Sequence, residues 1–166
     1  MLNKNLLLFG ILLASIILIG CNLPKDFIDF YNLPKDKRAL QFASLPIDKQ
    51  IDYHLYAMSM EPPDFTFSEE IAKNGNRIIP PVLYRLKIEK RDRKKVDLLV
   101  ILKDLCRNEN CRNAEPSFFT EVENEVSKMH DPEWRRMAEE SLSYIKGNPV
   151  PFPQYPRGAS TPSQPE

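Results

Sequence analysis

Glycine, cysteine and histidine are scarce in this chain: five, three and two among 166 residues. Without a glycine-rich loop there is no backbone cradle for phosphate, and two histidines cannot build a His-based metal cluster. Net charge is missing as well, because 23 Lys and Arg balance 23 Asp and Glu. A nucleic-acid interface normally rests on a strong basic excess, so no nucleic-acid partner is expected. The chain has no Gly-x-Ser-x-Gly elbow, neither histidine stands beside a recognisable nucleophile, and no motif asks for a cofactor or metal. Alternating apolar and polar strand patterns are lacking too. The expected fold class is therefore all-α, in one modest domain.

What is present begins at the N-terminus. Lys4 is the only charged side chain in the first twenty residues, and Leu6 to Ile19 form an apolar run whose only polar residue is Ser15. Fourteen residues suit the apolar segment of a secretory signal and fall short of the roughly 20 that a membrane-spanning helix needs. The run closes on Leu18-Ile19-Gly20-Cys21. That tetrad resembles the lipobox of bacterial lipoproteins, with a branched apolar residue, a tolerant apolar position, a small residue and a cysteine. The resemblance implies a signal peptide over 1–20, cleavage after Gly20 and diacylglyceryl transfer to Cys21. Small Gly20 opens the backbone to a protease, and only a thiol offers the soft nucleophile that becomes a thioether. One acyl chain binds a bilayer marginally, whereas two or three hold stably. In enterobacterial lipoproteins an aspartate after the cysteine favours the inner membrane. Asn22 therefore implies an outer-membrane anchor facing the periplasm, with the membrane itself as first partner.

Three phrases of the mature chain share a form: Asn22-Leu23-Pro24-Lys25-Asp26, Asn32-Leu33-Pro34-Lys35-Asp36 and Ser44-Leu45-Pro46-Ile47-Asp48. Each sets a proline where a first helical turn tolerates a missing N–H, with an aspartate two residues on, beside the positive end of the helix dipole. They predict two short helices and a longer one from about Pro46 to Met58, whose Ile47, Ile51, Leu55 and Met58 make one stripe. Glu61-Pro62-Pro63-Asp64 breaks the pattern, and Thr66-x-x-Glu69 reads as a capping box for a short helix ending near Gly75. Further helices are predicted from Pro80 to about Ile88, from Asp92, from Pro116 and from Asp131-Pro132 to Gly147. The helix from Asp92 carries Val96, Leu98 to Leu102 and Leu105, which leaves little polar face and predicts a place in the middle of the core. The layout is a lipidated tether and short helix over 21–33, a helical domain over 34–146 and a tail over 147–166. Six of the fifteen prolines fall in that tail, which reads as disordered.

The stretch Asp131 to Leu142, DPEWRRMAEESL, resembles the second helix of a HEAT repeat, and Asp92-Arg93-Lys94-Lys95-Val96 occupies the corresponding place 39 residues earlier. Over about 76–146 the resemblance implies antiparallel helix pairs in a HEAT-like right-handed α-α stack, with an irregular helical bundle as the other arrangement.

Few residues point to chemistry. In an oxidising envelope Cys106 and Cys111 are expected to pair across a short loop, contributing about 2 kcal/mol by chain entropy. Arg85, Lys87, Lys90, Arg91, Arg93, Lys94 and Lys95 fall within eleven residues, offset only by Glu89 and Asp92. They form a basic surface for lipid phosphates, or an exposed turn answered by Glu115, Glu121, Glu123 and Glu125. His54 reads as a core or rim histidine, His130 as part of a turn, and Glu121 with Glu125 as a solvated helix face. The expected function is a lipid-anchored envelope protein, not an enzyme, that serves as an interaction or assembly module for an unidentified envelope protein. An immunity or inhibitor lipoprotein is one alternative. A carboxylate-based envelope hydrolase is another, and it requires converging Glu or Asp side chains in one cleft with a raised carboxylate pKa.

Overall fold

The computed structural model of the chain describes residues 23–107, 111 and 114–147. The readings of residues 1–20, of Cys21 and of the tail beyond Gly147 fall outside the described residues. Eight α-helices and one 3-10 turn account for the described elements, with no strand among them: α1 Lys25–Tyr31, α2 Lys35–Ser44, α3 Ile47–Ala57, α4 Thr66–Ala72, a 3-10 turn Gly75–Ile78, α5 Ile79–Ile88, α6 Asp92–Arg107, α7 Pro116–Ser127 and α8 Pro132–Ile145. The fold is all-α.

The repeated phrase starts α1, α2 and α3, with one adjustment. Pro24, Pro34 and Pro46 sit one place ahead of the first turn as N-caps, at φ −57°, −50° and −55° and ψ near 145°. Proline holds that φ covalently, and its extended ψ turns the chain into the helix. Asp26, Asp36 and Asp48 then lie in the first turns. At α4 the capping box does not form. Asp64 Oδ1 accepts instead from the Thr66 backbone N–H and hydroxyl, at 3.0 and 2.7 Å, so the preceding loop supplies the acceptor. The 3-10 turn, which the sequence reading missed, opens at Gly75 with φ +63°, a left-handed conformation that glycine adopts without strain.

Helices α3 and α4, α5 and α6, and α7 and α8 pack as successive pairs. The last two pairs are joined by three and four residues, which forces their helices to run antiparallel. The first members of the pairs touch in the order α3, α5, α7, and the second members in the order α4, α6, α8. The chain thus builds two layers of helices, with α6 against α8 as the most extensive contact. Asp92 at the start of α6 ties α6 to α8: its Oδ2 accepts from the backbone N–H groups of His130 and Asp131, 2.7 and 2.8 Å away, just ahead of α8. The apolar helix from Asp92 does run through the middle, with Leu98, Leu99, Ile101, Leu102 and Leu105 fully buried.

One boundary differs from the sequence reading. Phe27 and Phe30 of α1 are buried in the same core as the rest of the fold. The Phe30 ring stands 4.7 Å from Tyr53, 5.9 Å from Phe67 and 6.1 Å from Phe42. The short helix expected in this segment, Lys25–Tyr31, therefore belongs to the core. A helix of seven residues is too short to show an apolar stripe convincingly, yet two phenylalanines three residues apart are enough to fill a hole between α2, α3 and α4.

Candidate functional site

The basic segment from Arg85 to Lys95 spans the end of α5, a three-residue turn and the start of α6. Folding consumes most of its charge internally. Arg85 meets Asp52 of α3 at 3.0 Å, and Lys87 meets Glu121 of α7 at 2.7 Å, so α5 is pinned to its neighbour on either side. Arg91 closes on Glu89, whose carboxylate also accepts from the Lys90 and Arg91 backbone N–H groups. Those hydrogen bonds, led by the Arg91 side chain, hold Glu89 down to about 2. The Arg93 guanidinium lies 5.9 Å from the centre of the Trp134 ring and donates to the Met58 carbonyl. Lys94 Nζ donates to the Leu55 carbonyl and Ser59 Oγ, and burial pushes its pKa down. Lys95 forms a buried ion pair with Glu125 at 3.1 Å. Of the seven, Lys90 alone has a side chain without a partner among the described residues. Five of the seven tie one helix to another and Arg91 closes on Glu89 within the turn, while Lys87, Lys90, Arg91 and Arg93 keep part of their surface exposed.

Glu125 is the counterpart correction. The sequence places it with Glu121 on a solvated face, but its side chain is 4% exposed and is held by Lys95 and Lys128. The i, i+4 pair Glu121 and Glu125 faces the neighbouring helices because α5 and α6 both lie on that side. The turn reading, in which glutamates of the next pair answer the basic run, describes Glu121 and Glu125 correctly.

Cys106 and Cys111 are joined by a disulfide. The pair lines a cleft of about 240 Å³ together with Phe119, Tyr144, Ile145 and Lys146. His54 lies wholly inside the core, with Nε2 2.9 Å from the Asp97 carbonyl. A carbonyl can only accept, so Nε2 carries the proton and Nδ1 is left as a bare acceptor; it has no partner among the described residues. Burial lowers the His54 pKa to about 4. Burial likewise raises Asp97 to about 6, against the pull of Lys94, Arg93 and Arg91, and its Oδ2 has no hydrogen-bond donor among the described residues. Ser68 donates to Asp104 at 2.6 Å in the same interior. His130 stands in the turn before α8 and contributes its backbone N–H.

The hydrolase alternative asks for two features that occur in different places. The raised carboxylate, Asp97, is buried on α6, whereas the carboxylates that share a cleft, Glu115 and Glu121, line a space of about 330 Å³ between α5 and α7, where Lys87 binds Glu121. Among the described residues no group of three or more His, Cys, Asp or Glu is placed to hold a metal ion.

The surface feature that stands out is apolar. Tyr84 and Ile88 of α5 are 62% and 53% exposed, one turn apart, on the side opposite buried Val82, Leu83 and Leu86. Ile88 also borders a cleft of about 340 Å³ whose floor is Leu55 and Leu98 and whose rim is Arg85, Glu89, Lys90 and Arg91. Sequence reasoning gave these residues no role, although the signal is present: α5 is apolar on both faces, and one face satisfies the core. No family model, curated protein or solved structure matches the chain. No described helix is long and apolar enough to cross a membrane.

Proposed function

We propose that the chain is a lipid-anchored cell-envelope protein, acylated at Cys21 and held at the outer membrane, whose stacked helix pairs serve as a docking module for another envelope protein. The single observation that carries the docking reading is the exposed Tyr84 and Ile88 stripe beside the cleft over Leu55 and Leu98. Exposed aromatic and aliphatic side chains, rimmed by charge and seated on a rigid helix, are the usual anchors of a protein–protein contact. Arg85 and Lys87 are fixed by Asp52 and Glu121, so α5 presents the stripe on a stiff backbone. The helix-repeat likeness from Asp92 and Asp131 supports the same reading, because such stacks bind by shape along a layer of helices.

A photo-crosslinking side chain placed at position 84 in living cells tests the docking face. One discrete adduct is expected, and the double variant Tyr84→Ala with Ile88→Ala should abolish co-purification of that partner while leaving helicity unchanged. A smear of adducts identical to that from Lys103, on α6, would remove the docking face. The anchor has its own test, since palmitate labelling should be lost in Cys21→Ala, and equal labelling would exclude it.

A further inference from the structure

Two of the described helices carry exposed aliphatic side chains that neither the core nor the α5 stripe explains. Leu40 on α2 is 75% exposed and Ile28 on α1 is 42% exposed. On α2 only Phe42 is buried, and the helical turn of 100° per residue sets Leu40 about 200° away, pointing from the core to solvent. Ile28 follows buried Phe27 and precedes buried Phe30, so it too lies off the packed side of α1.

The length of chain between the anchor and α1 limits how far these helices can stand from a bilayer. Leu23 packs half-buried against the core. Only Asn22 separates it from Cys21, and two Cα steps of 3.8 Å span at most about 8 Å. An acylated Cys21 therefore cannot let the body stand away from the bilayer, and α1 and α2 are the elements that follow it directly. Charge does not oppose the approach: exposed Lys25, Lys35 and Lys37 are nearly balanced in number by exposed Asp29 and Asp36, and Asp26 is neutralised by Lys49 at 2.5 Å.

We propose that the outward face of α1 and α2, centred on Leu40 and Ile28, rests in the interfacial region of the bilayer that holds the anchor. This rests on the anchor reading above. The contact is led by apolar side chains sitting at the headgroup boundary, so it is insensitive to salt. It leaves Tyr84 and Ile88, on a separate helix, for the protein partner.

The experiment uses the mature acylated chain in vesicles of phosphatidylethanolamine and phosphatidylglycerol. With Cys21 acylated and Cys106 bonded to Cys111, a cysteine introduced by Leu40→Cys, Ile28→Cys or Tyr84→Cys is the one free thiol for an environment-sensitive dye. Flotation with the vesicles reads the anchor, and the dye reads the face. The expected result is co-flotation, with dye at 40 and 28 shifted to the blue and quenched several-fold more by brominated lipid than dye at 84, unchanged in high salt. Co-flotation with equal quenching at 40 and 84, or with water-like emission at 40, overturns the face while leaving the anchor intact. A chain that stays at the bottom of the gradient overturns both. A blue shift at 40 that grows with protein concentration in the absence of vesicles marks a second copy of the chain as the occupant and also overturns the proposal.

Discussion

His54 and Asp97 share one stretch of the interior and pull stability in opposite directions as pH changes. Between about pH 6.5 and 4 the unfolded chain holds a proton on His54 that the folded chain refuses, so acid costs the fold stability. Between about pH 6 and 3.8 the folded chain holds a proton on Asp97 that the unfolded chain lacks, so acid favours the fold. Each effect amounts to about 3 kcal/mol, and the two nearly cancel. On acidification from pH 7 to 4, His54→Gln should therefore gain about 3 kcal/mol relative to wild type, and Asp97→Asn should lose about as much. Urea midpoints at the two pH values decide it, and parallel profiles for all three proteins would mean that neither group titrates as its surroundings dictate. The depressed carboxylates Glu89, Asp92 and Glu125 lose stability in acid alike in every variant and drop out of the comparison. At this scale the sequence was half readable. A histidine among Tyr53, Leu55 and Tyr56 on an apolar helix is legible as a core residue, but nothing local says that Lys95 and Glu125, 30 residues apart, will be buried against each other.

Helices were the readable unit because their starts are written in local chemistry. Pro24, Pro34, Pro46, Pro116 and Pro132 each mark a start to within a residue, since a missing N–H is harmless only there. The capping box at Thr66 failed for an equally local reason: Asp64 is two residues nearer the chain's turn and reaches the same N–H first. Asp92 shows what an element does beyond its own length. Its carboxylate sits at the N-terminus of α6 yet serves the two exposed amides ahead of α8. Asp92→Ala should cost about 1–1.5 kcal/mol, more than its loss as a first-turn acid alone, while Asp92→Asn keeps the acceptor and part of the stability. Thermal unfolding of the two variants measures the gap, and equal losses would mean that charge at the helix start, not the bond across to α8, is what matters.

The whole molecule behaves as one core in which α1 is a structural member. Trp134, the single tryptophan, lies on α8 at the far end of the order from Phe30. Phe30→Ala should lower stability by about 3–5 kcal/mol and move the Trp134 fluorescence transition and the far-ultraviolet transition together. A Trp134 midpoint that stays in place would return α1 to the role of a tether. That boundary was hidden because seven residues carry too little periodicity to declare a buried side, and the aromatic ring cluster that receives Phe27 and Phe30 is assembled from three other helices.

What the sequence alone determined is everything set by neighbours along the chain: an all-α class, helix starts at proline and aspartate, and a buried middle helix. What only the tertiary structure decided is which surfaces remain. Arg85, Lys87 and Lys95 of the basic run paired with α3 and α7, Glu125 of the glutamate face became a buried counter-charge, and Tyr84 with Ile88 was left outside. The reason is that a side chain's exposure depends on which helix arrives beside it, and that is fixed by packing across distances the local pattern does not encode.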